Sequence, residues 1–359
     1  MKAGTPQSRK RVTCMDVAQL AGVTIGSVSR VLNGAANVTP QVREKVMRAA
    51  DMLNYRPSAA ARMLARQRHE TVGLVFEREH VTTLYGAQLM EGICGALTEN
   101  GLRLATGMVQ WKSRVEQVEE LPMIRTASVD GLVLDIAQIE GDVDAMAGRL
   151  RIPYVLINPS GSRPYNRISP NDEPVAVQAT TYLIERGHRR IAYIPCPINV
   201  THSSQADRMN GYAGAMQRAG LPPIPMWDKP LTRKVGGDGE EDDYIVRMRV
   251  FHREHRCTAV VCYSYVEAIR MLYSCFQLGL KVPEDVSLIA CDHAPQPDIT
   301  PVPITCFHLD RYEMGRLAVK MLLQRIEENG AAVPSITYDG TFVAGDSVAT
   351  VRESVEDQS

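Results

Sequence analysis

Apolar residues recur at helical spacing in the segment TCMDVAQLAGVTIGSVSRVLNG (13–34). Thr13 is suited to cap a helix, and Asp16 stands three residues later, in the position that completes a capping box. Gly22 favours the left-handed conformation that commonly ends a helix. We therefore predict a first helix that runs to about Ala21. Its predicted apolar face consists of Val17, Leu20 and Ala21.

The same periodicity predicts a second and a third helix. Thr24 is suited to cap a helix that runs to about Asn33. Thr39-Pro40 supplies a cap followed by proline at the first helical position. Because helices this short are marginal in isolation, we expect the three to share one small core. The predicted core positions are Val28, Val31 and Leu32 in the second helix, and Val42, Val46, Ala49 and Leu53 in the third.

From Thr71 onwards, short β-rich apolar runs alternate with longer amphipathic segments. This alternation indicates an α/β body of doubly wound parallel sheets, and the length of the region favours two subdomains. The predicted strands are 71–76, 103–109, 130–136, 152–157, 190–195, 257–263 and 285–291. The predicted helices are 84–100, 172–186, 204–219, 265–279 and 309–328, and the polar, glycine-rich segment 232–243 is a predicted surface loop.

Charge is divided unevenly along the chain. Residues 1–68 carry 12 Lys and Arg against 3 Asp and Glu, whereas the remainder carries 28 against 38. A small basic region on a large acidic body indicates a head that binds a polyanion. The alternative, a disordered basic tail, fits residues 1–11 but not the patterned segment after them.

The rest of the composition favours a soluble cytoplasmic protein. None of the eight cysteines forms a CxxC pair, and several lie in apolar runs, which predicts buried thiols and no disulfide framework. The N-terminus lacks the apolar stretch of a secretory signal, and no window approaches the ~18 apolar residues of a membrane helix. We expect no membrane partner and a nucleoid-associated location.

The first two predicted helices and the three residues between them match the spacing of a helix-turn-helix, whose second helix enters the DNA major groove. With its apolar residues turned inward, the second helix presents Ile25, Gly26 and Arg30. Arg30 suits guanine, a contact worth about 1–3 kcal/mol, Ile25 suits a thymine methyl, and Gly26 permits close approach. Side chains suited to phosphate oxygens are Thr13, Thr24, Ser27, Ser29 and Asn33. The alternative is an ordinary helical hairpin with a solvated arginine.

The pattern T-x-x-D-V-A-x-x-A-G-V-T-x-x-S-V-S-R-V-L-N resembles the signature of lactose-repressor-type (LacI/GalR family) transcription regulators, and the resemblance extends over most of the chain. It implies a small all-α helix-turn-helix head and a two-lobed, periplasmic-binding-protein-like body. The implied segments are a basic tail (1–11), the DNA-binding domain (12–56), a hinge helix (57–68), the body (69–346) and an acidic tail (347–359). The expected lobes are about 71–160 with 303–330, and about 161–300 with 331–346.

The segment PSAAARML (57–64) resembles the hinge of that family, in which paired hinge helices of a dimer enter the minor groove. The resemblance places Ala61 and Leu64 at the minor groove, with Leu64 as the wedge between base pairs. A basic, alanine-rich helix with one apolar side chain suits such insertion. The alternative for Leu64 is docking on the body of the protein.

Two further segments resemble effector-binding motifs of the family. SLIACDHAP places Asp292 at the position of an effector-binding aspartate, and SSQADRMNGY places Arg208 at that of an effector-binding arginine. Their alternative role is an ion pair that ties loops together. Further cleft candidates are Tyr85, Asn158, Ser203, Ser204 and Tyr263.

Three departures from the family pattern make its effectors unsafe to transfer. The segment EREHVTTLYG (77–86) replaces the usual aromatic motif, Ser264-Tyr265 removes a carboxylate from the cleft rim, and Gly345-Asp346-Ser347 lacks the usual arginine. The expected effector is a small polar molecule, namely a sugar or sugar derivative.

Nothing in the sequence assembles a nucleophile, a base and an orienting group, and phosphate-binding and dinucleotide-binding glycine motifs are absent. His252 and His255 lie among arginines, which disfavours a metal and suggests a solvated helix end. We expect a non-enzymatic protein without cofactor or metal. The rival hypotheses are a small-molecule binding protein with a vestigial head, a sugar-modifying enzyme and a regulator controlled by a partner protein.

The predicted function is therefore ligand-gated DNA binding. A homodimer would present two heads to a pseudopalindromic double-stranded DNA operator, and effector binding would shift its affinity, most plausibly in a repressor. The C-terminal segment VRESVEDQS has no leucine heptads, which favours a dimer over a coiled-coil tetramer.

Overall fold

The computed structural model describes residues 12–32, 35, 37–55, 68–77, 84–110, 113–196, 202–224, 242–293 and 300–351, with the backbone alone for Leu84, Tyr85, Ser113 and His293. The chain divides into two compact units, a head before Thr71 and a body from Thr71 onwards. The tail 1–11, most of the hinge segment and residues 352–359 lie outside the described residues.

In its described part the head contains α1 (Cys14–Ala21), α2 (Ile25–Leu32) and α3 (Pro40–Met52). The predicted start and end of α1 are confirmed. The Thr13 hydroxyl accepts from the amide of Asp16, the Asp16 carboxylate accepts from the amide of Thr13, and Gly22 adopts a φ of 66°. The three helices bury one small core, made of Val17, Ala18, Val28, Val31, Val46, Ala49 and Ala50.

One core position predicted for α1 is wrong. Leu20 is 48% exposed, and Ala18 takes the inward position. The reason is rotational. The buried face of α1 is centred between Val17 and Ala18, with Ala21 on it, so Leu20 lies roughly 110° away from that centre.

The first lobe of the body is a parallel six-stranded sheet in the order β12-β7-β6-β4-β1-β2. Helices cover both faces, so the central strands of this parallel sheet are largely buried, whereas the two edge strands are partly exposed. Its strands are β1 (Thr71–Glu77), β2 (Arg103–Val109), β4 (Gly131–Asp135), β6 (Tyr154–Ile157), β7 (Arg167–Pro170) and β12 (Ile336–Tyr338). Its helices are α4 (Leu84–Glu99), α5 (Val115–Glu119), α6 (Pro122–Arg125), α7 (Val143–Leu150) and α12 (Arg311–Glu327), and β3 (Ser113–Arg114) pairs with β5 (Ile139–Glu140) beside the sheet.

The second lobe is a five-stranded sheet in the order β13-β11-β10-β9-β8, in which only the β11–β13 pair is antiparallel. Two helices pack on each face. Its strands are β8 (Ile191–Ile194), β9 (Ala259–Cys262), β10 (Ser287–His293), β11 (Thr305–His308) and β13 (Thr341–Val343). Its helices are α8 (Asp172–Glu185) and α9 (Ser203–Arg218) on one face, and α10 (Asp243–Arg253) and α11 (Tyr265–Gln277) on the other.

The chain crosses between the lobes three times, and the predicted crossing points need correction. Residues 167–170 belong to the first sheet, not the second, and residues 305–308 belong to the second, not the first. Residues 336–338 return to the first sheet before β13 completes the second. These short strands are apolar for only a few residues, so their membership depends on which sheet edge offers free hydrogen-bonding groups.

The eight cysteines are free thiols. Five are buried, as predicted: Cys257, Cys262, Cys275, Cys291 and Cys306. Burial raises the pKa of Cys291 to about 12, because the low-polarity surroundings disfavour the thiolate. These side chains therefore serve as packing groups of the second lobe.

Candidate functional site

The outer face of α2 carries the three residues predicted to contact DNA bases. Ile25 is 48% exposed, and Gly26 and Arg30 are exposed as well, whereas Val28 and Val31 are buried on the opposite face. A methyl group added at Gly26 would meet only the Thr24 hydroxyl oxygen, at 3.9 Å. The first turn of the outer face is therefore open at Gly26, and Arg30 adds a cation one turn further along.

Arg30 is held along this surface by its own helix. Its Nε donates to the carbonyl of Gly26 over 3.3 Å, which aligns the guanidinium with the helix axis. Such pre-alignment reduces the side-chain entropy lost when an arginine binds a partner.

Three of the predicted phosphate ligands use their hydroxyls inside the head. The Thr13 hydroxyl donates to Asp16 over 2.7 Å, and the hydroxyls of Thr24 and Ser27 lie 2.9 Å apart. The amide of Ser27 also donates to Thr24 over 3.1 Å, which closes the first turn of α2. These residues shape the helix starts, so a phosphate contact would have to share their hydroxyls. Ser29 is half-buried, and Asn33 lies outside the described residues.

In the body, Arg208 lies at the centre of a buried ionic network. Its Nε and Nη2 lie 2.8 and 2.6 Å from Asp172 Oδ1, and its Nη1 donates to the carbonyl of Tyr263 over 2.5 Å. Burial is the largest single influence and disfavours the charged guanidinium, but Asp172, Tyr263 and Asp292 together more than offset it, so the pKa of Arg208 is raised well above its usual range. The guanidinium thus has protein acceptors on both of its sides.

Asp292 joins this network from the end of β10. Its Oδ2 lies 3.6 Å from Arg208 Nη2 and 2.6 Å from Arg311 Nη2. Arg311 begins α12, which packs on the first sheet, whereas Asp292 belongs to the second lobe. The predicted effector-binding aspartate therefore forms an ion pair between the lobes, close to a crossing segment.

A chain of hydrogen bonds continues from Arg208 to the first lobe. The Tyr263 hydroxyl lies 2.7 Å from Ser204 Oγ, which lies 2.6 Å from Nδ1 of His202. His202 Nε2 lies 3.0 Å from the carbonyl of Asn158, so this nitrogen carries the hydrogen. Five of the predicted effector residues are therefore members of one network: Asn158, Ser204, Arg208, Tyr263 and Asp292.

An open cavity of about 780 Å³ adjoins this network, and its walls come from both lobes. Asn158 and Ser203, both predicted, line the cavity together with Asp172. Burial raises the pKa of Tyr263, which the neighbouring Arg208 partly counteracts, so the ring stays a neutral hydroxyl donor at the inner side of the network. A polar ligand of small size fits a cavity of this volume.

Sequence reasoning missed four residues of this region. Asp172 and Arg311 neutralise the predicted pair, and Arg167 and Asp207 line the cavity. Asp207 precedes Arg208 directly, and that adjacency was a usable signal. Arg167 gave no such signal, because the sequence did not predict the strand β7 that carries it. The side chain of the predicted Tyr85 lies outside the described residues.

Comparison with known proteins assigns both units. Residues 13–58 match the model of "Bacterial regulatory proteins, lacI family", and residues 180–348 match that of "Periplasmic binding protein-like domain". The chain is 31% identical over 323 residues to the HTH-type transcriptional repressor PurR of Vibrio parahaemolyticus, covering 88% of this chain and 92% of the relative. The chain belongs to the lacI family. It is a DNA-binding transcriptional regulator with an effector-binding body.

Other relatives of this lacI-family protein agree along its length. PurR of Escherichia coli O1:K1 is 30% identical over 341 residues, 94% of this chain and 97% of the relative. A lac repressor dimer bound to operator and the anti-inducer ONPF has the same fold, with a TM-score of 0.78, 24% identity and coverage of 95% and 100%. The regulator CelR in complex with cellobiose gives a TM-score of 0.63 at 26% identity, with coverage of 94% and 100%.

Two of the departures from the lacI-family pattern have structural roles. Ser264 caps α11 and donates to the buried Glu267, and it thereby fixes the helix that follows Tyr263. Ser347 accepts from the amide of Thr305 over 2.8 Å and donates to the carbonyl of Leu288 over 2.6 Å, which joins two strands of the second sheet. Both serines therefore stabilise the lobe that carries Arg208.

The relatives are named as transcriptional repressors. Within the described ranges, no group of three or more His, Cys, Asp or Glu side chains could hold a metal. The prediction that the HREHRC segment is a solvated helix end is partly wrong, because His252 and His255 are both half-buried where α10 ends. Among the helices of the described residues, none is long and apolar enough to cross a membrane.

Proposed function

We propose that this protein is a homodimeric repressor that binds a pseudopalindromic operator and is controlled by a sugar or sugar derivative bound between its lobes. It acts in the cytoplasm, on the nucleoid. The observation that carries the proposal is the outer face of α2, where Ile25, Gly26 and Arg30 are exposed on a head whose residues 1–68 include 12 basic and 3 acidic residues.

The proposed DNA contacts divide into two classes. Arg30 and Ile25 contact base edges in the major groove, while Gly26 permits close approach. Contacts to phosphates, which fix register, come from the predicted hydroxyl and amide group: Thr13, Thr24, Ser27, Ser29 and Asn33. Ala61 and Leu64, which lie outside the described residues, are proposed to enter the minor groove.

The proposed effector site is the cavity together with the Arg208 network. Ligand hydroxyls would compete for Asp292 and Asp172, two carboxylates that arginines now neutralise. Because the Arg311–Asp292 pair and the His202–Asn158 bond join the lobes, a ligand that displaces either one changes the relation of the lobes. The resemblance to a regulator solved with cellobiose supports a sugar.

The proposed homodimer rests on an exposed apolar stripe in the second lobe. Val266, Tyr273 and Phe276 share one face of α11, and they are 51%, 54% and 77% exposed. Exposed aromatic residues at helical spacing are costly in water and typical of subunit interfaces. A second copy that brings the same face would bury the stripe.

The test is operator selection with the full-length chain from a random duplex library, followed by gel-shift titration at several salt concentrations. We expect one enriched pseudopalindrome, and an affinity that falls steeply with salt, because phosphate contacts release counterions. Adding a panel of sugars to the selected complex then tests the effector. Selection without an enriched site would refute the proposal.

A further inference from the structure

The cavity is lined by one face of the short strand β7. Ile168 packs into the core beneath α12, so its neighbours Arg167 and Ser169 turn to the opposite side and line the cavity. Thr337 of β12 lies beside Ser169 in the register and lines the cavity too. The first lobe therefore contributes a polar surface with one cationic group.

The guanidinium of Arg167 is only partly satisfied by the protein. Its Nη1 donates to the carbonyl of Gly161 over 2.7 Å, whereas its Nε is covered and has no acceptor among the described residues. Burial lowers the pKa of Arg167, and Asp207 only partly counteracts the effect. The Nε–Nη2 edge is the geometry that binds a carboxylate or phosphate with two hydrogen bonds.

Asp207 of α9 brings the opposite charge to the cavity from the second lobe. In the described part of the chain its carboxylate makes no hydrogen bond or ion pair. Burial raises its pKa, and the nearby carboxylates of Asp172 and Glu173 raise it further. Ser169, only 6% exposed, likewise has a hydroxyl without a partner among the described residues. Ser169 of the first lobe and Asp207 of the second therefore both bring polar groups to the cavity, and neither group has a hydrogen-bond partner on the described part of the opposite lobe.

Building on the proposed effector function, we propose that the cavity binds a hydroxylated organic anion, a sugar acid or a sugar phosphate. Its anionic group pairs with the Nε–Nη2 edge of Arg167, and its hydroxyls donate to Asp207 and meet Ser169. A neutral sugar offers no anion to Arg167, whose burial Asp207 offsets only in part.

The test uses the full-length protein in calorimetric titrations with D-glucuronate, D-glucose 6-phosphate and D-glucose. We expect one of the two anions to bind and D-glucose to bind at least about 30-fold more weakly, the scale of a charged hydrogen-bond pair. Arg167→Gln should weaken the anion by a similar factor, and Asp207→Asn by about fivefold. Arg167→Lys, which keeps the charge but loses the paired donors, should give an intermediate value. Arg125→Gln, at an exposed arginine outside the cavity, is the matched control.

If only D-glucuronate binds, the anionic group of the ligand is a carboxylate. If only D-glucose 6-phosphate binds, that group is a phosphate. Equal affinity for D-glucose, or an anion affinity that Arg167→Gln leaves unchanged, would overturn the inference. Failure of both anions to bind would overturn it as well. Operator binding by the same preparation separates these outcomes from the proposed function, since a protein that selects its operator without binding either anion loses only the ligand assignment.

Discussion

Replacing Arg208 with methionine removes the cation at the centre of the body's ionic network. The Asp172 side chain is 8% exposed, and Arg208 is its only ion-pair partner among the described residues. Asp292 keeps Arg311, so the substitution leaves one buried carboxylate uncompensated, not two. Breaking a buried pair by removing one partner costs about 3–5 kcal/mol, which for a body of this size corresponds to a fall in Tm of roughly 5–8 °C.

The assay is thermal unfolding followed by differential scanning calorimetry, in which the body, the larger of the two units, gives the main transition. The double variant Arg208→Met/Asp172→Asn removes the orphaned charge and should recover about half of the loss. Arg316→Met is the control, because the Arg316–Glu99 pair has the same chemistry at the surface and should leave Tm unchanged within error.

Two results would refute this reasoning. If Arg208→Met were no more destabilising than Arg316→Met, Arg208 would not be buried against Asp172 in solution. If the double variant were no more stable than Arg208→Met, the cost would come from lost packing and not from the carboxylate. In the first case the arginine would be available to a ligand, as the resemblance alone suggests.

Four further predictions follow from the described contacts. Arg30→Ala should weaken operator binding by about 10- to 100-fold with unchanged Tm, because the side chain is exposed, and an unchanged gel-shift affinity would contradict it. His188 is buried between Thr258 and Ala349, and burial lowers its pKa. Below about pH 6.5 the imidazole of His188 is protonated in the unfolded chain but not in the folded one, so acid destabilises the fold. The Tm of the wild type should therefore fall from pH 7 to pH 5, and the Tm of His188→Gln should fall less steeply. Gly211→Ala should destabilise the body, because the new methyl group would lie 2.5 Å from the carbonyl oxygen of Glu173. The control is Gly148→Ala in α7, where the methyl group meets nothing within 4 Å and should raise Tm slightly. Equal effects on Tm would contradict the close packing of α8 on α9. Phe276→Asp should convert a dimer to a monomer in light scattering, and a monomeric wild type would refute the proposed interface.

The local elements of this protein follow from its sequence because their causes are local. The capping box of Thr13 and Asp16 and the left-handed Gly22 fix α1 within single turns of chain. The main body strands, such as β1 and β2, lie within a residue of their predicted bounds, and β1 does so because a buried parallel strand is a continuous apolar run. The motif around Arg30 was sufficient to assign the family.

Only the tertiary structure decided which groups meet. The sequence marks Arg208 and Asp292 as charged residues near strand ends, but it contains nothing about Asp172 and Arg311, 36 and 19 residues away, that neutralise them. It also leaves open which sheet receives the short strands β7, β11 and β12, and so which side chains face the cavity. The physical reason is that periodicity constrains a residue relative to its own element, whereas ion pairs and cavities depend on distances between elements that only packing sets.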